Sequence, residues 1–437
     1  MLHDALKKLN NYPFHMPGHK RNPAFDIIGS EIDITEIKGF DNLHDAHTLI
    51  QDCENDLADI YGAKRSFISV GGSTLGVLAA VCAVCDNGDT VIVAQNCHKS
   101  VYHACLLKGL RIVTVAPDFD ARHGMFRRLE QHSIDATLAQ YPQAKAVVIT
   151  SPTYEGYVSR IHAPIPLIVD AAHGAHFGLA RFPAYMQGDI VISSLHKTLP
   201  ALTQTAVVNV YNPSYCAAMK FWLDVLETSS PSYVLMNSVS RCCELMKHYP
   251  QYFETHYRLA EDFQKTKLQH LRLLQTDDIS KIIVSAYGTD MSACQLGDTL
   301  RESYHIEPEM ESARYLVLMT SAGDEAPAYE RLKQALREID AGVQQREALP
   351  FPAPPCAQEP FAVVRTADAT PVRPAEAVGK TAQEFVYAYP PDIPLLIPGK
   401  RITQADTNYL QLLADSGVNI LSDSGMFPNN VLTKAQQ

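Results

Sequence analysis

The chain has 437 residues, 46% of them hydrophobic and 19% charged, a composition typical of a globular protein with about two or three domains. Its formal net charge of −11 argues against nucleic acid or an anionic membrane surface as the main partner. No stretch reaches about 18 uncharged apolar residues, and the N-terminus lacks the apolar segment of a secretory signal. The sequence therefore predicts a cytoplasmic protein that does not span a membrane.

From about residue 55 to 210 short β-branched runs alternate with helical patterns, and residues 212–275 are mainly helical. This pattern predicts an α/β large domain over residues 51–275 with a mostly parallel sheet. Such sheets bind ligands beyond the carboxyl ends of their strands. The predicted strands are the runs 65–70, 89–94, 111–117, 144–150, 166–171 and 189–195.

Three further segments are predicted around this large domain. Residues 1–50 form an N-terminal arm, residues 276–345 a small α+β domain, and residues 346–437 a linker with a C-terminal domain. Five prolines between 349 and 360 mark the linker, and one last helix is expected after it.

The ten cysteines do not form a disulfide framework in a chain of this length. Cys82 and Cys85 have C-x-x-C spacing, but they lie in an apolar helical run with no second ligand pair nearby. Together with Cys242 and Cys243 they are interpreted as buried, reduced thiols rather than metal ligands.

Two polar features lie after the first strands of the large domain. In the glycine-rich run 69–76, backbone N–H groups with Ser73 and Thr74 suit a phosphate at a helix N-terminus. A plain helix cap has the same signature. His98 follows the strand 89–94, where its flat ring either stacks on an aromatic ligand or belongs to a polar loop.

Two more features follow later strands. Asp170 closes a buried apolar strand, where an ionised carboxylate needs a cation. His173 and His176 come next, but no third ligand accompanies them and no metal site is predicted. Lys197 follows the apolar run that ends at 195, and taken alone it is a loop lysine that points into water.

Together these features fit one ligand with a phosphate, an aromatic ring, a ring nitrogen that meets Asp170 and an aldehyde that meets Lys197. Pyridoxal phosphate (PLP) has all four groups, and a Schiff-base lysine with a carboxylate at the ring nitrogen is a recognisable pattern. The order of the four features also matches the aspartate-aminotransferase-like fold. A lysine held as an imine carries no free ammonium, which accounts for its apolar surroundings.

Motifs along nearly the whole chain resemble those of the Orn/Lys/Arg decarboxylase family in its short bacterial form. The resemblance implies PLP-dependent decarboxylation of arginine, lysine or ornithine to an amine and CO₂, a reaction of polyamine biosynthesis. It also implies a homodimer or larger homo-oligomer with the site at a subunit interface. In chain order the motifs are "FHMPGHK", "DITEIKGFDNLH", "GGSTLGVLAA", "NCHKS", "SPTYEGYV", "VDAAHGAH", "SSLHKTLPALTQTA", "TSSPSYVLM" and "YPPDIPLLIPGK".

The resemblance also assigns residue roles. Lys197 binds the cofactor as a Schiff base, Asp170 keeps the pyridine nitrogen protonated, His98 stacks on the ring and Ala172 covers its other face. The first three are the implied catalytic residues. The implied phosphate ligands are Ser73, Thr74, Ser194 and His196.

The chain departs from the family pattern at four positions. Gly71 stands where the family has asparagine, Asp392 where it has glycine, and Ser240 where it has aspartate. Lys400 stands where a glutamate faces the distal cation of the substrate. A lysine there repels a basic substrate by about 1 to a few kcal/mol, depending on burial.

Lys400 therefore leaves the substrate open. If the substrate is basic, the carboxylate that reads its distal cation is Glu155, Asp392 or part of the acidic stretch 307–312. Otherwise Lys400 binds a substrate carboxylate, and the reaction is another PLP reaction, such as transamination or elimination, on a non-basic amino acid. A cofactor-free regulatory paralogue is the third alternative.

Overall fold

The structure is a computed structural model that describes residues 1–9 and 11–434. It forms two compact units, each built from separate parts of the chain. The first unit contains residues 1–84, 168–255 and 321–323, and the second contains 85–167, 256–320 and 324–437. Within the described ranges, no helix is both long and apolar enough to cross a membrane.

The secondary structure is as follows. The α-helices are α1 (Leu2–Lys7), α2 (Leu49–Tyr61), α3 (Gly72–Val84), α4 (Lys99–Lys108), α5 (Gln131–Gln140), α6 (Leu195–Thr198), α7 (Cys216–Leu226), α8 (Tyr233–His248), α9 (Pro250–Phe263), α10 (Ala293–Tyr304), α11 (Ala326–Gly342) and α12 (Gln404–Asp415). The β-strands are β1 (Arg65–Ser69), β2 (Thr90–Ala94), β3 (Arg111–Val115), β4 (Phe119–Asp120), β5 (Met125–Phe126), β6 (Ala146–Thr150), β7 (Leu167–Asp170), β8 (Ile190–Ser194), β9 (Ala206–Val210), β10 (Arg272–Leu274), β11 (Lys281–Ser285), β12 (Met310–Glu311), β13 (Tyr315–Met319), β14 (Phe361–Ala362), β15 (Ala369–Val372), β16 (Val386–Ala388), β17 (Ile393–Leu396), β18 (Ile420–Ser422) and β19 (Val431–Lys434).

The strands of the first unit lie in the order β1-β9-β8-β7. Strands β7 and β8 are parallel, with Asp170 opposite Ile192, and β9 is antiparallel to both of its neighbours. Strands β1, β7 and β8 therefore point in the same direction. Asp170 and Ser194 are the last residues of two adjacent parallel strands, so both lie at the carboxyl edge of the sheet.

Helices cover this sheet because their sequences offer apolar surface to it. Helix α3 carries no charged residue and packs closely on β8 and β9 at Gly76. A Cβ atom at Gly76 would lie 2.8 Å from Val208 Cγ2 and 2.9 Å from Ile192 Cγ2. Helices α1, α2 and α8 share a second buried core, which includes Leu2, Leu6, Ile50, Leu57, Met236 and Val239.

The second unit contains strands in the order β6-β2-β3-β14, of which β6, β2 and β3 are parallel and β14 is antiparallel to β3. A separate antiparallel sheet has the order β10-β11-β13-β12. Its apolar side chains form one core with those of α10 and α11, including Ile282, Val284, Leu296, Leu316 and Leu336. The last part of the chain forms the sheet β17-β16-β18, the pair β15-β19 and helix α12.

The α/β class with a mostly parallel large sheet is confirmed, and a strand is found within each of the six predicted runs. One local expectation is wrong: Lys197 lies on the one-turn helix α6 and not in an open loop. The short C-terminal strands were not predicted, since they have two to four residues and two of them contain proline. The four-segment domain division stays a prediction.

The packing at Gly76 gives a testable prediction. We expect Gly76→Ala to lower the free energy of unfolding by about 1–3 kcal/mol, because the added methyl group must displace the side chains of two buried strands. Gly342, at the end of α11, is the matched control, since a Cβ atom there meets nothing within 4 Å. Urea unfolding measures both variants. Equal stability of the two would show that the contact between α3 and the sheet is loose.

Candidate active site

Asp170 is a buried carboxylate at the end of β7. Its side chain is 4% exposed, and its Oδ1 accepts a hydrogen bond from the Ala172 N–H at 3.1 Å. No lysine, arginine or histidine forms a salt bridge with Asp170 in the part of the chain that the structure describes. Burying an unpaired carboxylate is costly, so this position suits a ligand that brings a cationic nitrogen.

Lys197 lies one short turn beyond the neighbouring strand β8. Its Nζ is 3.1 Å from Nε2 of His173, and His173 itself is buried. The imidazole can take a proton from the amine at this distance. Sequence reasoning considered His173 only as a metal ligand, and its proximity to Lys197 is set by the pairing of β7 with β8.

The predicted phosphate ligands lie together at the same edge of the first unit. Ser194 Oγ donates a hydrogen bond to Ser73 Oγ at 2.8 Å, and Thr74 beside it is exposed. His196 Nδ1 is 2.9 Å from the Thr205 carbonyl oxygen, so Nδ1 carries the proton and Nε2 is left as an acceptor. Burial and the charge of Lys197 lower the pKa of His196, against the raising effect of that hydrogen bond.

A carboxylate that the sequence did not reveal holds the turn before Ser73. Glu227 Oε2 accepts hydrogen bonds from the backbone N–H groups of Val70 and Gly71, both at 3.1 Å. A Cβ atom at Gly71 would lie 2.4 Å from Leu75 Cδ1, so a side chain here must displace Leu75. Glycine at this position, in place of the family's asparagine, therefore matches the local packing. Because Glu227 is 156 residues away, no local pattern could have identified it.

His98 belongs to the second unit, where it caps α4 and accepts a hydrogen bond from the Ser100 N–H at 3.1 Å. Its Nε2 lies 3.6 Å from Asp392 Oδ2. Lys99 approaches the same carboxylate more closely, with 2.7 Å between Nζ and Oδ1, and its ammonium lies 4.1 Å from the centre of the Tyr387 ring. Although partial burial raises the pKa of Asp392, the contacts with His98 and Lys99 lower it more, so the net pKa is below its ordinary value.

Lys400 forms a buried ion pair. Its Nζ is 2.6 Å from Asp406 Oδ1, and the two side chains are 8% and 2% exposed. The other oxygen of Asp406 accepts hydrogen bonds from the backbone N–H and the hydroxyl of Thr403, which caps α12. The ammonium of Lys400 thus has a carboxylate partner within its own unit, and its role in substrate recognition stays a prediction.

Most of the other candidate carboxylates also have partners. Glu307 and Glu311 both form salt bridges with Arg301. Glu309 accepts a hydrogen bond from the Tyr154 hydroxyl at 2.5 Å.

Glu155 is different, because it is buried and has no cation within salt-bridge distance in the described ranges. The Tyr315 hydroxyl donates a hydrogen bond to it at 2.7 Å, and burial raises its pKa. Glu309 also lacks a salt bridge in the described residues but is exposed, so Glu155 is the buried candidate carboxylate there without a salt-bridge partner.

Comparison with known proteins identifies similar chains. Residues 2–286 match the model of the Orn/Lys/Arg decarboxylase major domain, and residues 344–420 match that of the Orn/Lys/Arg decarboxylase C-terminal domain. A Bacillus subtilis protein named uncharacterized protein YaaO is 30% identical over 92% of this chain and 91% of its own length. An arginine decarboxylase of the same organism is 28% identical over 96% of this chain and 94% of its own length.

Among solved structures, the lysine decarboxylase LdcF of Francisella novicida has a TM-score of 0.78 and 16% sequence identity. The similarity covers 99% of this chain and 81% of that chain. At this identity the likeness concerns the fold, and it agrees with the α/β architecture described above.

The buried pair of Lys400 and Asp406 leads to a stability prediction. We expect Asp406→Asn to lower the free energy of unfolding by about 3–5 kcal/mol, since it leaves an ammonium buried without a counter-charge. The double variant with Lys400→Met should recover most of this loss. Lys247→Met, which breaks a half-exposed pair with Asp56, is the control and should change stability by about 1 kcal/mol or less. If Asp406→Asn lowers the free energy of unfolding no more than Lys247→Met does, the pair of Lys400 and Asp406 is not buried as described.

The contacts of Asp392 predict a pH-dependent contribution to stability. Its native pKa is below the unfolded value of about 3.9, so its stabilisation is present above about pH 4 and is lost as the pH falls through the native pKa. We expect Asp392→Asn to cost about 1–2 kcal/mol at pH 7, with a difference from wild type that shrinks below about pH 4. Urea unfolding at several pH values tests this, with the exposed Asp118→Asn as control. A difference that is independent of pH would mean that the carboxylate charge is not what stabilises this contact.

Proposed function

The chain belongs to the Orn/Lys/Arg decarboxylase family, and we propose that it uses PLP to convert arginine, lysine or ornithine into the corresponding amine and CO₂. Its family match covers the large domain and the C-terminal domain, and the protein is an amino-acid decarboxylase by that membership. The arginine decarboxylase of Bacillus subtilis supports a basic substrate, since it aligns over nearly the whole of both chains.

The observation that carries the proposal is the pairing of Asp170 with the Lys197 segment at one sheet edge. The last residue of β7 is a buried carboxylate that forms no salt bridge with any described residue, and the last residue of β8 leads in one turn to a lysine. The two strands are adjacent and parallel, so both groups lie at the edge where α/β sheets bind ligands. A ligand with a basic ring nitrogen and a carbonyl group fits both residues.

PLP fits the residues that are present, and each has an assigned task. Lys197 Nζ would hold the cofactor through its carbonyl carbon, and His173 Nε2, 3.1 Å away, would accept a proton from that amine. The carboxylate of Asp170 would keep the ring nitrogen protonated, and Ala172 would cover one ring face. The residues that would bind the phosphate are Ser73, Thr74, Ser194 and His196.

When bound, the cofactor supplies an electron sink for the electron pair that CO₂ leaves on the substrate. The chain contributes to this by electrostatics, since Asp170 acts on charge that is present only during the reaction. Loss of Asp170 therefore lowers turnover more than it lowers cofactor binding. We assign ring stacking to His98, which Asp392 and Ser100 hold from two sides.

The contacts of Lys400 favour a basic substrate over an acidic one. Lys400 was the feature that suggested recognition of a substrate carboxylate, and Asp406 at 2.6 Å already neutralises its ammonium. Repulsion of a cationic substrate by this residue is correspondingly reduced. Since every residue needed for cofactor binding is present, a cofactor-free regulatory role has less support than catalysis.

We also propose a homo-oligomer, as the family implies. The N-terminal segment supports this, because it exposes large apolar side chains that a second subunit can cover. These include Tyr12, Phe14 and Ile28, which are 72%, 93% and 100% exposed.

The proposal is tested by product analysis of the protein purified with PLP and supplied with each common amino acid. We expect CO₂ and an amine from at least one of arginine, lysine and ornithine. Lys197→Ala should lose turnover and the visible absorbance of bound cofactor while keeping its unfolding midpoint. Lys247→Ala, a surface lysine, is the control.

Three outcomes contradict this assignment. A keto acid product would show transamination, and protein that gains no visible absorbance with PLP would favour a regulatory role. Activity of Lys197→Ala close to that of wild type would remove Lys197 from the chemistry.

A further inference from the structure

The second unit contains a cavity next to Glu155, which we call the Glu155 cavity. Its volume is about 90 Å³, and it lies between the small antiparallel sheet, the linker and the C-terminal strands. A cavity of about 150 Å³ accommodates the six carbon atoms of benzene, so this one encloses about four non-hydrogen atoms of a chain. Its walls include Gln95, Phe119, Met125, Phe126, Tyr315, Ile393, Tyr409 and Leu413.

Glu155 and Gln95 contribute acceptor oxygens to the lining of the Glu155 cavity. Glu155 is 6% exposed and accepts a hydrogen bond from the Tyr315 hydroxyl, with the Thr153 side chain and its own backbone N–H as further hydrogen-bonding neighbours. Gln95 is 9% exposed and donates from Nε2 to the carbonyl oxygens of Pro354 and Pro355, at 3.2 and 3.0 Å. Its Oε1 is buried and has no hydrogen-bond partner within residues 1–9 and 11–434. An occupant that donates hydrogen bonds would satisfy both groups.

The charge around the cavity favours a cation. Glu311 also lines it, but Arg301 already pairs with that carboxylate. Burial raises the pKa of Glu155 more than the charge of Lys281 lowers it, and in the described chain Lys281 forms no salt bridge with Glu155. The burial that raises the pKa of Glu155 is the penalty that a bound ammonium would offset.

The remaining wall suits an apolar chain that ends in a positive charge. The rings of Phe119, Phe126 and Tyr409 line the cavity together with the aliphatic side chains of Leu395 and Leu413. Aromatic faces attract an ammonium, and the aliphatic side chains provide apolar contact for carbon atoms.

We propose that the Glu155 cavity binds a primary ammonium group on a short unbranched carbon chain. Glu155 accepts from the ammonium as its counter-charge, and Gln95 Oε1 accepts a second N–H. The same chemistry occurs in a free alkylamine and in the distal end of lysine or ornithine. Binding at this cavity does not depend on the proposed decarboxylation, and the experiment distinguishes the two sources.

Calorimetric titration of the PLP-loaded protein with butylammonium tests the site. We expect saturable binding, with affinity at least tenfold weaker for neutral butanol and for Glu155→Gln. Glu309→Gln is the matched control, because it also removes a carboxylate that accepts from a tyrosine hydroxyl but does not line the cavity. Ile393→Trp fills the cavity from its wall and should also abolish binding.

A primary amine can also react with the cofactor, so visible absorbance is recorded in the same titration. Binding accompanied throughout by a change in that absorbance, or equal affinity in wild type, Glu155→Gln and Ile393→Trp, overturns the proposal. Absence of binding to wild type does so as well. None of these readouts requires turnover, so a failed activity assay leaves this test intact.

Steady-state kinetics then identify the natural source of the ammonium. If the distal end of the substrate occupies the cavity, butylammonium competes with the basic amino acid, and Glu155→Gln raises KM at least tenfold with little change in kcat. If a free amine occupies it, inhibition or activation is not competitive and Glu155→Gln abolishes that effect without changing KM. Either result supports the site and assigns its occupant.

Discussion

The parallel pairing of β7 with β8 is the constraint on which the candidate site depends. It places a buried aspartate and a short helix with a lysine at one edge of the sheet, although the two residues are 27 positions apart in sequence. A carboxylate buried in that position is stabilised by a cationic ligand, because an ion pair offsets the cost of removing the charge from water. Stability and function are linked here, because a bound cationic ring nitrogen would offset the free-energy cost of burying this carboxylate.

Two charged residues in the C-terminal part of the chain, Asp392 and Lys400, each form an ion pair. Lys400 is neutralised by Asp406, and Asp392 by Lys99 with His98 beside it. Both pairs involve positions where the chain departs from its family, and in each the substituted residue has found a partner. Neither substituted residue therefore presents an unpaired charge among the described residues. Glu155 is the exception, since its burial is not matched by a counter-ion in the described ranges.

Support for the site residues comes from contacts distant in sequence. Glu227 fixes the turn before Ser73, and the Thr205 carbonyl sets which nitrogen of His196 carries the proton. His173 reaches Lys197 across the ends of two strands. These three partners position the turn before Ser73, the His196 ring and the Lys197 amine. They fix side chains and backbone that short turns alone would leave free to move. Glu227 lies outside the family motifs, and although His173 and Thr205 lie inside them, no local pattern predicts the contacts that they make.

The sequence by itself determined the α/β class, the positions of six strands of the large domain and the family. Those properties depend on short-range periodicity and on motifs that remain readable in one dimension. It also indicated the residue types of the site, since Asp170, Lys197 and Ser73 each follow a strand. It did not indicate the short C-terminal strands, because they gain stability from neighbours rather than from their own pattern.

Only the tertiary structure decided which charges are neutralised and which remain available. Lys400 looked like a substrate ligand in the sequence, and its pairing with Asp406 became visible only when α12 was in place. Glu155 and Gln95 became candidates because the fold buries them beside one cavity. Electrostatic energy depends on distance and burial in three dimensions, and sequence spacing specifies neither for residues in different elements.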